Sequence, residues 1–284
     1  MSLWTLASGG LSLPEASELS VRMEEDWRLQ SSAITISEIA DEVWTVIAYF
    51  ADRSLAATAS SHYPGTIAAL PDADWVRLSL QGLPPVQAGR FYLHGSHDAG
   101  RSGGISLEID AGTAFGTGHH GTTEGCLLAL DQTLKARKPH RILDLGCGTG
   151  VLAIAAARAT GYQVLASDID PEAVRVARLN ARRNGARLQA VTAAGLNSSV
   201  ISGRFDLIFA NILARPLVML AQGLTNKLRP RGVLILSGLT HGQAAWVFAA
   251  YRNRGLVLNR RIRRGAWTTL VLVRMDSNSV WPSI

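Results

Sequence analysis

Short apolar runs alternate with amphipathic stretches along the second half of the chain. Such runs predict strands that are buried on both faces, as in a parallel sheet. The runs lie at 142–145, 163–167, 188–192, 205–210 and 233–237. Helices are predicted between and after them, at 151–159, 171–184, 215–228 and 243–254.

Two more apolar runs, 256–263 and 267–273, are joined only by Arg264-Gly265. This connection is too short for a crossover helix, so one of the two strands must run antiparallel. The pattern therefore predicts a doubly wound α/β fold, with a seven-stranded and mostly parallel sheet that has one reversed strand.

The first third of the chain has a different pattern. A helix is predicted from Leu13 to about Trp27, with Ser12 as its cap and Pro14 in its first turn. Strands are predicted at 33–38 and 43–50, a second helix at 72–80, and no regular structure at 1–10. Four tryptophans are expected in the core of this region: Trp4, Trp27, Trp44 and Trp75.

These patterns divide the chain into parts. A small N-terminal α+β domain is expected over residues 1–84, and two linker strands, 90–95 and 105–109, within residues 85–110. The large α/β domain follows over residues 111–276, and residues 277–284 form a tail.

The composition is that of an ordinary globular protein, with 47% hydrophobic and 18% charged residues. Two cysteines, Cys126 and Cys147, are too few for a disulfide framework. No stretch has the length of a transmembrane helix, and the N-terminus lacks the features of a signal peptide. We therefore expect a cytoplasmic protein without a membrane partner.

Charge is unevenly distributed. Residues 1–110 contain 6 Lys and Arg against 14 Asp and Glu, whereas residues 111–284 contain 22 against 8. The two parts thus carry −8 and +14, which add to the net charge of +6. Two interpretations are open: both surfaces are simply solvated, or the acidic part attracts a basic partner while the basic part tolerates an RNA-rich one. No sequence-specific binding of nucleic acid is expected, and the oligomeric state is not predicted.

The strand at 142–145 ends in a glycine-rich turn that opens a helix. The turn reads Asp144-Leu-Gly-Cys-Gly-Thr-Gly, and Asp168 ends the next predicted strand. Glycines let the backbone approach a ligand, and an acidic residue at the second strand end holds a ribose diol. The G-x-G-x-G spacing differs from the G-x-G-x-x-G pattern of dinucleotide-binding folds. Together these features indicate a site for S-adenosylmethionine.

A second glycine-rich segment covers residues 110–123 and precedes a helix predicted at 123–137. Because four glycines in 14 residues are incompatible with a regular element, we expect a loop that covers the ligand. Phe115 is expected to form an apolar wall there, and His119 or His120 either relays a proton or is structural. Thr123 is expected to cap the helix, to contact the ligand, or both.

Asn211 ends the strand predicted at 205–210, at the edge of the sheet that also carries the glycine turn. Its amide carbonyl is suited to accept a hydrogen bond from an incoming amine, although an Asn at this place can also simply form a turn. A lysine ammonium must lose a proton before it attacks, and an apolar pocket favours the neutral amine. Ile212 is expected to help form that pocket.

Four motifs thus follow one another: Ala-Phe-Gly-Thr-Gly-His-His-Gly-Thr-Thr at 114–123, Asp-Leu-Gly-Cys-Gly-Thr-Gly at 144–150, Ser-Asp-Ile-Asp at 167–170 and Ala-Asn-Ile-Leu-Ala at 210–214. Together they resemble the bacterial ribosomal protein L11 methyltransferase family. The resemblance covers about residues 75–274. The first and last motifs are specific to this family, whereas most methyltransferases share the glycine turn.

The resemblance implies a class I methyltransferase fold, an N-terminal substrate-recognition domain and S-adenosylmethionine as the methyl donor. It also implies methylation of lysine ε-amino groups, and of an N-terminal α-amine, on one large-subunit ribosomal protein before its assembly. The expected catalytic residues are Asn211, Ile212, His119 and His120. The expected cofactor-binding residues are Phe115, Gly116, Thr117, Thr123, Asp144, Gly146, Gly148, Gly150, Asp168, Ile169 and Asn211; no metal is expected.

Three alternatives remain open. The same chemistry is possible on another protein, because related enzymes methylate the electron-transfer flavoprotein β subunit. An oxidoreductase of the NAD-binding type is disfavoured by the glycine spacing. An inactive scaffold that only binds S-adenosylmethionine is disfavoured by the presence of Asn211 and of the predicted cover loop.

Overall fold

The structure is a computed structural model that describes residues 4–26, 28, 29, 31, 33–69, 85–96, 98–109, 121–196 and 198–275. The chain divides into two compact units, Met1–Trp75 and Val76–Ile284. The helix predicted at 72–80, the tail and the segment 110–120 lie outside the described residues. Within the described ranges, no helix is both long and apolar enough to cross a membrane.

The first unit contains a four-stranded antiparallel sheet and two helices. The strands are β1 (Trp4–Leu11), β2 (Ala33–Ala40), β3 (Val43–Phe50) and β4 (Thr66–Ala69), in the order β2-β3-β1-β4. The helices are α1 (Leu13–Glu25) and α2 (Arg53–Ser60). The expected helix and strand pair are therefore present, in agreement with an α+β unit.

The prediction of an irregular N-terminus is wrong, because β1 lies inside this sheet. It pairs with β3 on one side and with β4 on the other. The partners of Leu6 are Ala48 and Ile67, so the strand is stabilised by segments more than 40 residues away. A local pattern that contains two glycines gives no indication of such pairing.

The expected tryptophan core of this unit is also wrong for the two tryptophans whose side chains are described. Trp4 and Trp44 are only half-buried. Fully buried side chains come instead from smaller apolar residues and one phenylalanine: Leu6, Met23, Val46 and Phe50. Arg53 stacks on the Trp4 ring at 5.6 Å from its centroid, which suits a tryptophan at a surface.

The second unit is built on a seven-stranded sheet with the order β10-β9-β8-β11-β12-β14-β13. Its strands are β8 (Ile142–Leu145), β9 (Val164–Asp168), β10 (Leu188–Thr192), β11 (Phe205–Asn211), β12 (Leu228–Thr240), β13 (Leu256–Arg264) and β14 (Trp267–Arg274). All neighbours are parallel except β14, which is antiparallel to β12 and β13. The predicted sheet with one reversed strand is confirmed.

Six helices accompany this sheet among the described residues. They are α3 (Gly121–Ala136), α4 (Val151–Thr160), α5 (Pro171–Arg183), α6 (Ala214–Met219), α7 (Ala221–Lys227) and α8 (Gln243–Arg252). The single helix predicted over 215–228 is thus two short helices that share Leu220 as a cap. Two separate apolar cores cover the two faces of the sheet, one including Phe209 and the other Ile208.

A three-stranded sheet precedes α3. Its strands are β5 (Val86–Ala88), β6 (Phe91–His94) and β7 (Ile105–Glu108), and β6 and β7 are parallel. Phe91 and Leu107 belong to the same apolar core as α4, so these strands are part of the second unit. The side chain of Asn184 donates to the carbonyl of Glu108 (2.7 Å) and accepts from its N–H (2.9 Å).

Candidate functional site

The predicted site residues meet at the carboxyl edge of the large sheet. β8 lies between β9 and β11, and these three strands end at Leu145, Asp168 and Asn211. Because neighbouring parallel strands end on the same side, the glycine turn, the second-strand Asp and the Asn come together. In doubly wound α/β folds, ligands bind in a crevice at this edge of the sheet.

The glycine turn has the geometry that the sequence indicated. Gly146, Gly148 and Gly150 have φ values of 70°, 52° and 81°, in the left-handed region. The N–H groups of Gly146 and Cys147 donate to the carbonyl of Ser167 (2.8 and 3.0 Å), which fixes the turn to β9. Gly150 then serves as the N-cap of α4.

Two of these glycines are also required by close packing. A Cβ at Gly146 would lie 2.4 Å from Cγ2 of Ile212, and one at Gly150 would lie 2.9 Å from Cβ of Ala177. Both distances are shorter than real Cβ contacts. The turn is therefore pressed against the segment that follows β11 on one side and against α5 on the other.

Asp144 is buried beneath this turn, with 1% of its surface exposed. Its Oδ2 accepts a hydrogen bond from the N–H of Ala153 (3.0 Å), while Oδ1 is buried and has no partner among the residues that the structure describes. Burial raises the pKa of the carboxyl to about 7, the Ala153 bond opposes this rise, and the charge of Asp168 adds to it. A buried acceptor of this kind is held ready for a donor or a cation.

Asp168 closes the other side of the turn. Its Oδ2 accepts from the N–H of Gly148 (2.8 Å) and its Oδ1 from the N–H of Asp170 (3.1 Å). Each carboxylate oxygen can accept a further hydrogen bond, so the pair of oxygens stays suited to a diol. The next residue, Ile169, exposes 73% of its surface, and the hydroxyl of Ser167 is buried without a partner in the described part of the chain.

Asn211 is oriented by the first turn of α3. Its Nδ2 donates to Oγ1 of Thr122 at 3.4 Å, which turns the carbonyl oxygen Oδ1 away from that contact. Ser237, next to Asn211 on β12, bonds the carbonyl of Thr122 (3.3 Å) and the hydroxyl of Thr269 (2.8 Å). The amide is thus held by the hydroxyl of Thr122, and the backbone of Thr122 is in turn fixed by Ser237.

Gly238 is a site residue that the sequence analysis missed. It has φ of 83° and lies where the pairing of β12 with β14 shifts register. A Cβ at this position would lie 2.4 Å from the carbonyl oxygen of Ile212 and 2.9 Å from its carbonyl carbon. Ile212 is therefore held between two glycines, Gly146 at its side chain and Gly238 at its backbone.

The other predicted residues divide into two groups. Phe115, Gly116, Thr117, His119 and His120 lie outside the described residues. Thr123 is buried in the first turn of α3, which begins at Gly121, so its predicted role as the N-cap is wrong. The hydroxyl that contacts Asn211 belongs to the preceding residue, Thr122.

Neither cysteine of the site is activated. Burial raises the pKa of the Cys126 thiol to about 12 and also raises that of Cys147, and both thiols are buried. A nucleophilic cysteine needs the opposite shift.

The site fits the group that the sequence indicated. Asp144 provides a buried acceptor that has no partner among the described residues, Asp168 provides a second carboxylate, and the three glycines leave the backbone of the turn without side chains. A ligand with a positive group and a ribose is complementary to two carboxylates beside an open helix N-terminus.

This chain is similar to proteins of one family. The sequence profile of "Ribosomal protein L11 methyltransferase (PrmA)" matches residues 13–275. The ribosomal protein L11 methyltransferase of Caulobacter sp. (strain K31) is 51% identical over 209 residues, 72% of this chain and 73% of the relative. The ribosomal protein L11 methyltransferase of Rhodopseudomonas palustris (strain BisB5) is 47% identical over 258 residues, which cover 85% of this chain and 88% of the relative.

A solved structure supports the same relationship. The crystal structure of ribosomal protein L11 methylase from Lactobacillus delbrueckii subsp. bulgaricus matches with a TM-score of 0.61 at 29% identity. The match covers 68% of this chain and 99% of that chain.

Proposed function

The chain belongs to the ribosomal protein L11 methyltransferase family, and from this premise we propose that it methylates amino groups of ribosomal protein L11, with S-adenosylmethionine as the methyl donor. The amino groups are lysine ε-amines and the N-terminal α-amine. The reaction takes place in the cytoplasm, on the free protein substrate before ribosome assembly.

The donor would be held by the glycine turn and its two flanking carboxylates. Asp168 is suited to the ribose hydroxyls, and Asp144 Oδ1 is suited to a donor or cation beside the turn. Ile169 is suited to line the adenine side, because its apolar side chain is exposed at this edge. When bound, S-adenosylmethionine supplies a methyl group that is already activated by the positive sulfur.

The remaining work of the chain is to present a neutral amine in line with that methyl group. Thr122 holds Nδ2 of Asn211, so Oδ1 is free to accept a hydrogen bond from the substrate nitrogen. The backbone carbonyl of the next residue, Ile212, which lies close to Gly238, would be a second acceptor. Two acceptors orient the nitrogen lone pair, and positioning of this kind supplies most of the rate of a simple displacement. The predicted cover loop would exclude water and favour the uncharged amine.

The observation that carries this proposal is the amide of Asn211, held by Thr122 at the same sheet edge as the glycine turn. We expect Asn211→Ala to lower the turnover of methyl transfer about 30-fold, because one oriented hydrogen bond is lost. Affinity for S-adenosylmethionine should change less than turnover does. Transfer of labelled methyl groups to purified ribosomal protein L11 measures the first, and calorimetry the second.

A matched control is Asn226→Ala, which removes an exposed Asn whose side chain bonds Gln222 on α7. It should transfer methyl groups at the unmodified rate. Equal turnover in Asn211→Ala and Asn226→Ala would remove Asn211 from the mechanism. If the unmodified chain labels a different protein in a whole extract and leaves L11 unlabelled, the substrate is another protein.

Salt provides a separate test of how the substrate is recognised. The segment 1–110 carries a net charge of −8 and is suited to attract a basic protein substrate. We expect the KM for that substrate to rise as salt increases, since exposed charges are screened within about 8 Å at physiological ionic strength. Steady-state kinetics at several salt concentrations measure this, with the KM for the methyl donor as the internal control. A substrate KM that does not respond to salt would contradict the idea.

A further inference from the structure

One outer edge of the large sheet is lined with arginines. We call the exposed arginines of β13 the arginine edge: Arg260, Arg261, Arg263 and Arg264. Arg264 forms an ion pair with Glu124 on α3 (2.7 Å). The side chains of the other three have no hydrogen-bond or ion-pair partner among the described residues.

The arginine edge presents charge on both faces of the sheet. Arg261 is paired in register with Leu270, and Arg260 with Val271. Leu270 and Val271 belong to the two different apolar cores, which cover opposite faces. Residues two apart on one strand are about 6.6 Å apart, so the charges form a regular row rather than a single cluster.

No acidic residue lies nearby in the sequence. Residues 207–275 contain eleven Lys and Arg and no Asp or Glu. This stretch includes β12, β13, β14 and α8, which together form this end of the sheet. These segments therefore contribute only positive charge to this end of the sheet, and Glu124 of α3 is the acidic partner that the structure shows for one of the four arginines.

Protection of the sheet edge does not account for the arginine edge. Proteins do place charges on edge strands to prevent pairing with other chains. The opposite edge of this sheet, however, is β10, Leu188–Thr192, which contains no charged residue. The edge strand β10 thus has no charged residue, whereas the edge strand β13 has four exposed arginines. Three of these four have no partner among the described residues.

We propose that the arginine edge binds the phosphate backbone of RNA, without reading its sequence. Guanidinium groups bind phosphate oxygens through paired hydrogen bonds, and a row of them releases the counterions of a polyanion. Trp246, 45% exposed, lies on α8, whose buried residues belong to the same apolar core as Leu270, the register partner of Arg261; an exposed indole ring on this sheet face is suited to base stacking. The choice of RNA rests on the proposed ribosomal substrate.

An anionic membrane surface and an acidic protein fit this strand less well than RNA does. Among the exposed residues of β13 there is only Asn259 besides the arginines, so the strand has no exposed apolar side chain to enter a bilayer. For the same reason it lacks the apolar centre of a stable protein interface.

The test is binding of a fluorescently labelled 20-nucleotide RNA of mixed sequence to the full chain, measured by anisotropy without methyl donor or protein substrate. We expect the triple variant Arg260→Gln, Arg261→Gln, Arg263→Gln to bind at least about tenfold more weakly, with the slope of log affinity against log salt reduced by about two to three. The corresponding Arg→Lys triple keeps the charge and should retain most of the affinity.

The matched control is a second triple with the same change in charge: Arg182→Gln, Arg187→Gln and Arg204→Gln. These three arginines are also exposed and have no side-chain partner among the described residues. The control should lose less than about threefold in affinity, because only the total charge has changed.

Several results would overturn the proposal. These are equal loss of affinity in both triples, equal loss in the Lys and Gln triples, or no binding of RNA at 50 mM salt. Binding of polyglutamate as tight as that of RNA would assign the edge to an acidic protein, and preferential binding of phosphatidylserine vesicles would assign it to a membrane. Binding of S-adenosylmethionine by each variant checks its folding. Because no methyl transfer is measured, failure here leaves the proposed function intact.

Discussion

Gly238→Ala is expected to lower the turnover of methyl transfer about a hundredfold, whereas Gly255→Ala leaves it nearly unchanged. The two glycines have almost the same backbone conformation, with φ of 83° and 82°. An alanine in this left-handed conformation is strained by roughly 1–2 kcal/mol at either position. The two variants therefore have the same backbone strain and differ in what the new methyl group contacts.

At Gly238 the added Cβ would lie 2.4 Å from the carbonyl oxygen of Ile212, whereas at Gly255 no atom of the described residues lies within 4 Å of it. The atoms in contact with Gly238 are backbone atoms of a strand end, which cannot turn aside as a flexible side chain can. Ile212 must therefore shift, and Asn211 with it. A displacement of about 1 Å at the acceptors of the amine is enough for a hundredfold loss.

The measurements are turnover with saturating donor and protein substrate, affinity for S-adenosylmethionine by calorimetry, and the melting temperature of both variants. Both melting temperatures should fall by a few degrees, since 1 kcal/mol shifts that of a domain of this size by about 2–4 °C. Only Gly238→Ala should lose turnover. If both variants lose turnover equally, backbone strain is responsible and Gly238 does not position Ile212.

The role of Gly238 illustrates what the sequence does not contain. Gly238 directly follows the apolar run Val233–Ser237, and a glycine at such a place in a strand suggests only a bulge. Its importance comes from contact with Ile212, which lies 26 positions earlier, directly after a different strand. No local pattern connects the two residues.

The family and the fold class, in contrast, are confirmed, because their signals are local. The strands at 142–145 and 188–192 have the predicted bounds, since each is a short apolar run between clear breaks. The reversed strand followed from the length of one connection, Arg264-Gly265. The glycine turn followed from three glycines between a strand and a helix, and all three have positive φ.

The failures have a common physical cause. β1 is ordered by strands more than 30 residues away, which outweigh its two glycines. Thr122 rather than Thr123 contacts Asn211, because the helix begins two residues before the predicted start and its phase is therefore different. Long-range pairing and helical phase are set by tertiary contacts, which a single sequence does not specify.

Asp144→Asn is expected to make the chain more stable at pH 8 while weakening its binding of S-adenosylmethionine about tenfold to a hundredfold. The folded carboxyl has a pKa of about 7, against 3.8 for the exposed group. Between these values the folded state binds more protons than the unfolded state, so the free energy of unfolding falls as the pH rises from about 4 to 7. Asparagine keeps an acceptor for the N–H of Ala153 but carries no charge.

The free energy of unfolding of Asp144→Asn should equal that of the unmodified chain near pH 4, and should exceed it by a constant, maximal amount above pH 7. A shift from 3.8 to about 7 corresponds to up to about 4 kcal/mol, which raises the melting temperature of the variant by several degrees at pH 8. The affinity of the unmodified chain for the donor should increase between pH 6 and pH 8, as the carboxylate forms. That of Asp144→Asn should not change.

Asp206→Asn is the control with the opposite sign. Burial of Asp206 favours the neutral acid, but the N–H of Arg141, the side chain of Arg229 and the N–H of His140 outweigh it and hold the pKa below its ordinary value. Its stabilising effect is present at neutral pH and disappears as the pH falls through the folded pKa, so Asp206→Asn should destabilise the chain at pH 8. Asp206 lies at the other end of β11, and its variant should bind the donor normally. If Asp144→Asn also destabilises the chain at pH 8, or binds the donor as tightly as Asp206→Asn does, the buried carboxylate is structural and is not held in reserve for the ligand.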